Sequence, residues 1–326
     1  MRYRSLGQSG LIVSELGLGC NNLGGRIDAQ QSHRLVDAAL DLGVTFFDVA
    51  DVYGRRDTYA GASEEALGAA LATRRSKAVI ATKFGMNLAG GADEAGLTSG
   101  GSRRYIMQAV DASLSRLKTD WIDLYQLHFP DPQTPLEETL RAFDDLIRAG
   151  KIRYAGVSNL PAWQVADACH IAKREGFSGI ISCQDEFSLL ERKAQNDLLP
   201  ALTHFGLGLL PYFPLASGML TGKYLQDAPP PEGSRLAAWT YLQEQYRSPT
   251  VWVFIKTLTA LAERHNASLT DLAFGWLLRH QQVGSVIAGA TSEAQVQANA
   301  RSCDDTLSDA VFSELDSILQ AHDASS

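Results

Sequence analysis

Eight short apolar runs recur along this chain, separated by stretches with helical periodicity. The runs are Leu16–Gly19, Val44–Phe47, Ala78–Thr82, Ile122–Leu127, Tyr154–Val157, Ile180–Cys183, Gly208–Leu210 and Ser285–Ala288. Each is rich in Val, Ile, Leu or aromatic residues and too short to be a helix, so each reads as a strand buried on both faces. Strands of that kind pair in parallel and are joined by helical crossovers. Eight such units predict an α/β fold, a (β/α)8 TIM barrel, as a single domain over residues 1–326. The segment Tyr3–Val13 reads as an N-terminal β-hairpin ahead of the first barrel strand.

The helical stretches expected are Ala29–Leu42, Ser63–Ala72, Ser102–Leu117, Pro135–Ala149, Pro161–Glu175, Ala194–Phe205, Thr250–His265 and Ser268–Gln281, with Ser308–Gln320 among extra C-terminal helices. Pro135–Ala149 is the sharpest. Leu136, Leu140, Phe143, Leu146 and Ile147 share one face. Thr134 is placed as its N-cap, Pro135 as the first helical residue, Glu137 as the partner in a capping box, and Gly150 as its stop. The stretch Gln226–Pro249 breaks the alternation with Pro229-Pro230-Pro231, Gly233 and Pro249, and reads as a loop or lid over one end of the barrel. The rival fold is a doubly wound sheet. Its support is Gly17-Leu18-Gly19-Cys20-Asn21-Asn22, which lacks the third glycine of GxGxxG, while Asp37 falls inside a helix instead of at a strand end.

Composition narrows the class. Hydrophobic residues make up 45% and charged residues 20%, enough for a large core and contrary to disorder. A net charge of −8 argues against nucleic acid or an anionic membrane as partner. No apolar run reaches the roughly eighteen residues of a membrane span. Met1-Arg2-Tyr3-Arg4-Ser5 lacks an apolar signal region. Cys20, Cys169, Cys183 and Cys303 show no paired spacing and read as reduced thiols of a cytoplasmic protein. The seven histidines form no ligand spacing, so no metal is expected.

Barrel sites lie at the C-terminal ends of the strands. Those ends carry Asn21, Asp48, Lys83, His128, Ser158-Asn159, Gln184, Tyr212 and Gly289. Apolar strands that end so consistently on polar groups point to a shared site. Taken singly, Asp48 reads as a loop cap, Tyr53 as loop packing, Lys83 as a snorkelling surface lysine and His128 as a satisfied core histidine. A carboxylate closing an apolar strand is costly unless it is paired. Together the four suit proton transfer to a carbonyl oxygen. Tyr53 would be the acid, Lys83 would stabilise its phenolate and lower a pKa that is about 10 in a free phenol, Asp48 would hold Lys83, and His128 would bond the oxygen. A positioned acid contributes roughly 10² to 10⁴ in rate.

Over essentially its whole length the chain resembles an aldo-keto reductase. The matching words are Phe47-Asp48-Val49-Ala50-Asp51-Val52-Tyr53-Gly54, Ser63-Glu64-Glu65-Ala66-Leu67-Gly68, Ala81-Thr82-Lys83, Ile122-Asp123-Leu124-Tyr125-Gln126-Leu127-His128 and Gly156-Val157-Ser158-Asn159. It is most similar to the branch that holds potassium-channel β-subunits and bacterial aldo-keto reductases. The resemblance implies a catalytic tetrad of Asp48, Tyr53, Lys83 and His128. It implies NADP(H), with NAD(H) possible, bound without a Rossmann fold. Ser158, Asn159 and Gln184 would meet the nicotinamide carboxamide and Tyr212 would stack on its ring, although Tyr212 also suits packing at the barrel rim. Phe213, Pro214, Leu215, Ser217 and Lys223 would lie over the pyrophosphate. Gly289, Thr291 and Gln295 would form a phosphate site at the helix after the last strand. Ser292 and Gln295 also have capping-box spacing, which gives Gln295 a structural reading beside the binding one. Asn299 would contact adenine.

Three positions depart from the family pattern: Gln295 stands where many members have Arg, Ala298 where Glu is common, and Phe213 where Ser is usual. Arg235 is a candidate for the missing cation, or a solvated loop arginine. Asn21 and Asn22 replace an aromatic found in many members, which suggests a polar pocket and a carbonyl, polyol or sugar substrate. Tyr59, Phe129 and Trp239 are candidate walls or ordinary packing. Two functions follow: an NADP(H)-dependent oxidoreductase interconverting carbonyls and alcohols, or an NADP(H)-binding redox-sensing regulatory module with slow turnover. A Schiff-base role for Lys83 needs a neutral amine, which Asp48 opposes. A monomer and a homo-oligomer are both compatible with the sequence.

Overall fold

The structure, a computed structural model, describes residues 1–89, 97–304 and 307–323. Strands β1 (Tyr3–Ser5) and β2 (Ile12–Ser14) form the expected antiparallel hairpin, with Arg4 opposite Val13. The barrel strands follow as β3 (Leu16–Gly19), β4 (Phe46–Asp48), β5 (Val79–Phe84), β6 (Ile122–Leu127), β7 (Ile152–Ser158), β8 (Ile180–Glu186), β9 (Gly208–Tyr212) and β10 (Val286–Gly289). All pair in parallel with their sequence neighbours, and β10 returns to pair with β3. The remaining seam is held by Leu209 N donating to Gln282 O at 2.6 Å and Gly284 N donating to Leu209 O at 2.9 Å. This cyclic order is a (β/α)8 TIM barrel and excludes the doubly wound rival.

Alternation along the strands divides the core in two. Residues such as Leu16, Leu18, Phe47, Ile80, Tyr125 and Val157 pack outward against the helices. Phe46, Ala81, Leu124, Leu210 and Ile287 point inward, where Leu6, Leu11 and Val13 of the hairpin segment close the N-terminal end of the barrel. Leu6 is fully buried, and a Cβ on Gly284 would stand 2.4 Å from its Cδ1, so the glycine is what lets the plug seat. Leu6→Ala is therefore expected to cost about 2–5 kcal/mol, read as a lowered midpoint in urea; a change below about 0.5 kcal/mol would show that the hairpin is not a plug.

Helix starts differ from expectation at one instructive place. The fourth barrel helix runs Leu136–Arg148, buries Leu140, Phe143 and Leu146, and is followed by Gly150 at φ 75° as anticipated. Pro135, not Thr134, occupies its cap position, and no side chain caps it. The Thr134 side chain bonds instead to Asp131, which also accepts the N–H groups of Gly101 and Gln133. Glu137 pairs with Arg141 and Arg174.

Residues 226–249 also differ from an open loop. They contain two short helices, Arg235–Ala238 and Thr240–Tyr246, with Leu236 and Leu242 buried. Tyr246 donates its hydroxyl to Glu186 Oε1 at 2.9 Å, which fastens this segment to the end of β8. Two helices follow β10: Glu293–Asp304, the eighth of the barrel, and the extra helix Asp309–Asp323. Among the described residues no helix is long and apolar enough to cross a membrane.

Candidate active site

The inward faces of the strand ends converge on Lys83. Its side chain is fully buried, and its ammonium donates to Asp48 Oδ2 at 2.7 Å, Val49 O at 3.0 Å and Tyr53 Oη at 3.3 Å. An ammonium has three donors, so its capacity is used in full. Asp48, 3% exposed at the last position of β4, takes a second bond on Oδ1 from Gln184 Nε2 at 2.9 Å. Two groups that would be expensive to bury alone are thus buried as a satisfied pair.

Burial alone would pull the Lys83 amine down, but Asp48 and then Tyr53 outweigh it, so its pKa is raised and the group is charged. For Tyr53 the balance runs the other way. Burial pushes the phenol above its ordinary value of 10.0 and Lys83 only partly offsets this. Lys83 lowers the Tyr53 pKa as expected, but loss of water outweighs the neighbouring cation and the net shift is upward. Tyr53 is a neutral phenol at physiological pH. Burial and then Lys83 hold the His128 pKa well below the usual imidazole value, so His128 is neutral too. Its ring stands edge-on to Tyr53 with centroids 6.0 Å apart, and its Nδ1 is buried with no hydrogen-bond partner.

The expected cofactor residues surround this group. Ser158 is buried at the end of β7. Asn159, in the left-handed region at φ 61°, donates Nδ2 to His128 O at 2.9 Å and to Ser158 Oγ at 3.0 Å, and accepts from the Tyr212 hydroxyl at 2.8 Å. Asn159 and Gln184 thus spend donors on the site itself. After β9, which ends at Tyr212, the chain folds into a tight cradle. Phe213, Ala216, Ser217 and Gly218 all have positive φ, at 50°, 44°, 56° and 97°. For the non-glycine residues such geometry costs on the order of 1–3 kcal/mol each. Ser217 is buried and its Oγ has no partner. Pro214 and Leu215 lie within this run, and Leu215 O accepts Gly218 N at 2.8 Å. A Cβ on Gly218 would stand 2.7 Å from Lys223 Nζ, so Lys223 folds over the cradle. Left-handed turns beside a cation form an anion-binding concavity, and the orphaned Ser217 hydroxyl fits an oxygen-rich ligand such as a dinucleotide pyrophosphate.

At the end of β10, a Cβ on Gly289 would approach Arg235 Nη2 to 3.3 Å and Asn21 Oδ1 to 3.6 Å. Arg235 donates to Asn21 Oδ1 at 3.3 Å and lies over the Phe213 ring at 5.2 Å and the Trp239 ring at 5.6 Å. Gln295 accepts from Thr291 N at 2.8 Å and from Thr291 Oγ1 at 3.3 Å, while Gln295 N donates to Ser292 Oγ at 3.4 Å. This is a capping pattern displaced by one residue. Asn299 is buried on the same helix.

Of the expected pocket residues, Asn22 turns inward and ties its loop to Ala290 O at 3.0 Å. Phe129, 46% exposed, stacks on His128 with centroids 5.2 Å apart. Tyr59 is exposed and donates its hydroxyl to Glu65. Trp239, partly buried, stacks on Tyr241.

Sequence reasoning missed three features. The first is the Gln184–Asp48 bond, which no local pattern signals because the residues are 136 apart in sequence. The second is Asp51, fully buried, its carboxylate held by no side chain and its pKa pushed up by burial and by Glu64. Glu64 is itself buried, held by Thr82 and Arg116, each at 2.6 Å. The third is the gathering of arginines around Trp239, for which Arg55-Arg56 directly after Tyr53-Gly54 was the available signal.

The sequence matches the model of the Aldo/keto reductase family over residues 15–320. A protein of Arabidopsis thaliana described as a probable voltage-gated potassium channel subunit beta is 37% identical, over 98% of this chain and 97% of its own length. An uncharacterized oxidoreductase of Bacillus subtilis, YrpG, is 34% identical over 98% of this chain and 96% of its own. A putative voltage-gated potassium channel subunit beta of Schizosaccharomyces pombe is 34% identical over 97% of this chain and 93% of its own.

Proposed function

This chain belongs to the aldo/keto reductase family, a family of oxidoreductases, and on that premise we propose that it is an NADP(H)-dependent enzyme interconverting carbonyls and alcohols, with Tyr53 as the general acid and base. The observation that carries this reading is the bonding of Lys83. Because Lys83 Nζ donates to Tyr53 Oη, the phenol's own proton is free to point at a carbonyl oxygen in the site.

The nicotinamide, when bound, supplies the hydride that adds to the carbonyl carbon. The chain's own residues do the rest. Ser158, Asn159, Gln184 and Tyr212 orient the ring end, and Ser217, Lys223 and Arg235 hold the phosphates. His128, neutral, bonds the carbonyl oxygen and fixes its direction. Tyr53 gives its proton to that oxygen as negative charge develops there. The resulting phenolate is stabilised by the Lys83 ammonium, which Asp48 keeps charged and in place. The aromatic side chains and the helices of residues 235–246 exclude water, which strengthens each of these interactions. In the oxidative direction the same groups act in reverse.

Arg235 lies beside the Phe213–Gly218 cradle, and its assignment is testable through the cofactor. Arg235→Ala is expected to raise the KM for NADPH by about tenfold or more and that for NADH by clearly less, as fits loss of a charge-assisted bond to the 2′-phosphate that only NADPH carries. Equal effects on the two cofactors would assign Arg235 to the pyrophosphate, which both carry, and remove it from the 2′-phosphate.

The relatives described as channel β-subunits favour a second reading, a cofactor-binding regulatory module with slow turnover. Steady-state turnover with a panel of aldehydes and ketones separates the two. Turnover on the order of 1 per second or faster supports the enzyme, whereas tight NADPH binding with negligible consumption supports the module.

A further inference from the structure

Two arginines crowd one indole at the mouth of the site, and a third lies near one of them. The guanidinium of Arg56 lies 4.8 Å from the centre of the Trp239 ring and that of Arg235 lies 5.6 Å from it. Arg26 is close enough to Arg235 for its charge to oppose Arg235's own. The neighbouring Arg55 is held by Asn87 O. None of these four forms an ion pair among the described residues, although the chain as a whole carries a net charge of −8. The neighbouring carboxylate, Asp57, packs against Gly25 instead. Arg26 and Arg56 are exposed, so water screens their repulsion, but cations without a counter-ion here still favour an anionic ligand.

The cofactor reading uses Arg235 and Lys223. It does not use Arg56, which follows the proton donor Tyr53 by three residues and sits on the same β4 loop. We infer that the substrate is a carbonyl compound bearing an anionic group, a carboxylate or a phosphate monoester, a few carbons from the reacting carbon. Arg56 receives that group while the carbonyl oxygen reaches Tyr53 and His128. The inference rests on the reductase reading above and narrows its substrate class.

The test compares matched pairs of aldehydes with NADPH: succinic semialdehyde against butanal, and glyceraldehyde 3-phosphate against glyceraldehyde. The expected result is a kcat/KM at least about tenfold higher for the anionic member of one pair, carried by KM and shrinking as salt rises. The pair that shows the preference says whether carboxylate or phosphate is recognised. Arg56→Ala is expected to collapse the anionic-to-neutral ratio, and Arg56→Lys to retain part of it. Equal kcat/KM within both pairs would overturn the inference and leave the reductase reading standing. So would an Arg56→Ala variant that raises the KM for NADPH while keeping the ratio, because the cations would then belong to the cofactor.

If no aldehyde is turned over, the reductase reading fails separately. The anion site is then decided by titrating the NADP+ complex, followed by tryptophan fluorescence, with 4-hydroxybutanoate against 1-butanol and glycerol 3-phosphate against glycerol. Saturable binding of an anionic member alone, lost in Arg56→Ala, sustains the site. No difference within either pair overturns it.

Discussion

Tyr53→Phe is expected to lower kcat for carbonyl reduction by about 10² to 10⁴, with binding of NADPH retained. The substitution removes one hydroxyl and leaves the ring, so the edge contact with His128 persists. It also leaves one Lys83 donor without its acceptor, a cost of roughly 1–3 kcal/mol, so the folded state should be checked by thermal melting alongside the rate. The pH profile adds a second readout. Reduction needs the phenol protonated, and burial raises its pKa above 10.0. The wild-type reductive rate should therefore show no phenol-linked loss near neutrality and should fall only as pH rises toward that raised value. A Tyr53→Phe enzyme with wild-type kcat would mean that another group supplies the proton.

Lys83→Met is expected to have the largest combined effect. It leaves Asp48 buried without its cation, which costs about 3–5 kcal/mol, and it removes the charge that stabilises the phenolate. Chemical denaturation checks the first effect and steady-state kinetics the second. The double variant Asp48→Leu with Lys83→Met separates them. Replacing both charges by apolar groups is expected to recover most of the stability while leaving the enzyme inactive. Recovery of activity in the double variant would rule out an electrostatic role for the pair. The pH dependence has a definite sign. The Lys83 pKa is raised above 10.5 in the folded protein, so its contribution is fully present below 10.5 and is lost as pH rises through the raised value.

The barrel was legible because burial on both faces leaves a plain mark. Strands β3 and β6 begin and end where the apolar runs do. Polar residues ended those runs, and side-chain alternation decided which of them turned inward. Other features depended on contacts distant in sequence. Thr134 has the residue type of an N-cap, but Asp131 competes for its hydroxyl, and the helix starts one residue later than a cap at Thr134 would give. Prolines in residues 226–249 suggested a loop, yet Leu236, Leu242 and Tyr246 find burial against the barrel and impose helix. The lowering of the Tyr53 pKa by Lys83 is legible in sequence because the cation is visible there, whereas the loss of water that outweighs it is not. Gln184 was associated with the cofactor, and its bond to Asp48 gives it a second task that only the folded geometry shows.

The central claim is that this site moves a hydride between NADPH and a carbonyl carbon while Tyr53 supplies the proton. The most direct measurement follows the label. The enzyme is incubated with NADPH carrying deuterium at the transferable nicotinamide position and with an aldehyde panel, and the products are examined by mass spectrometry. The account predicts an alcohol bearing one deuterium on the former carbonyl carbon for each cofactor consumed. Cofactor that binds and is never consumed, or an alcohol without the label, would contradict it.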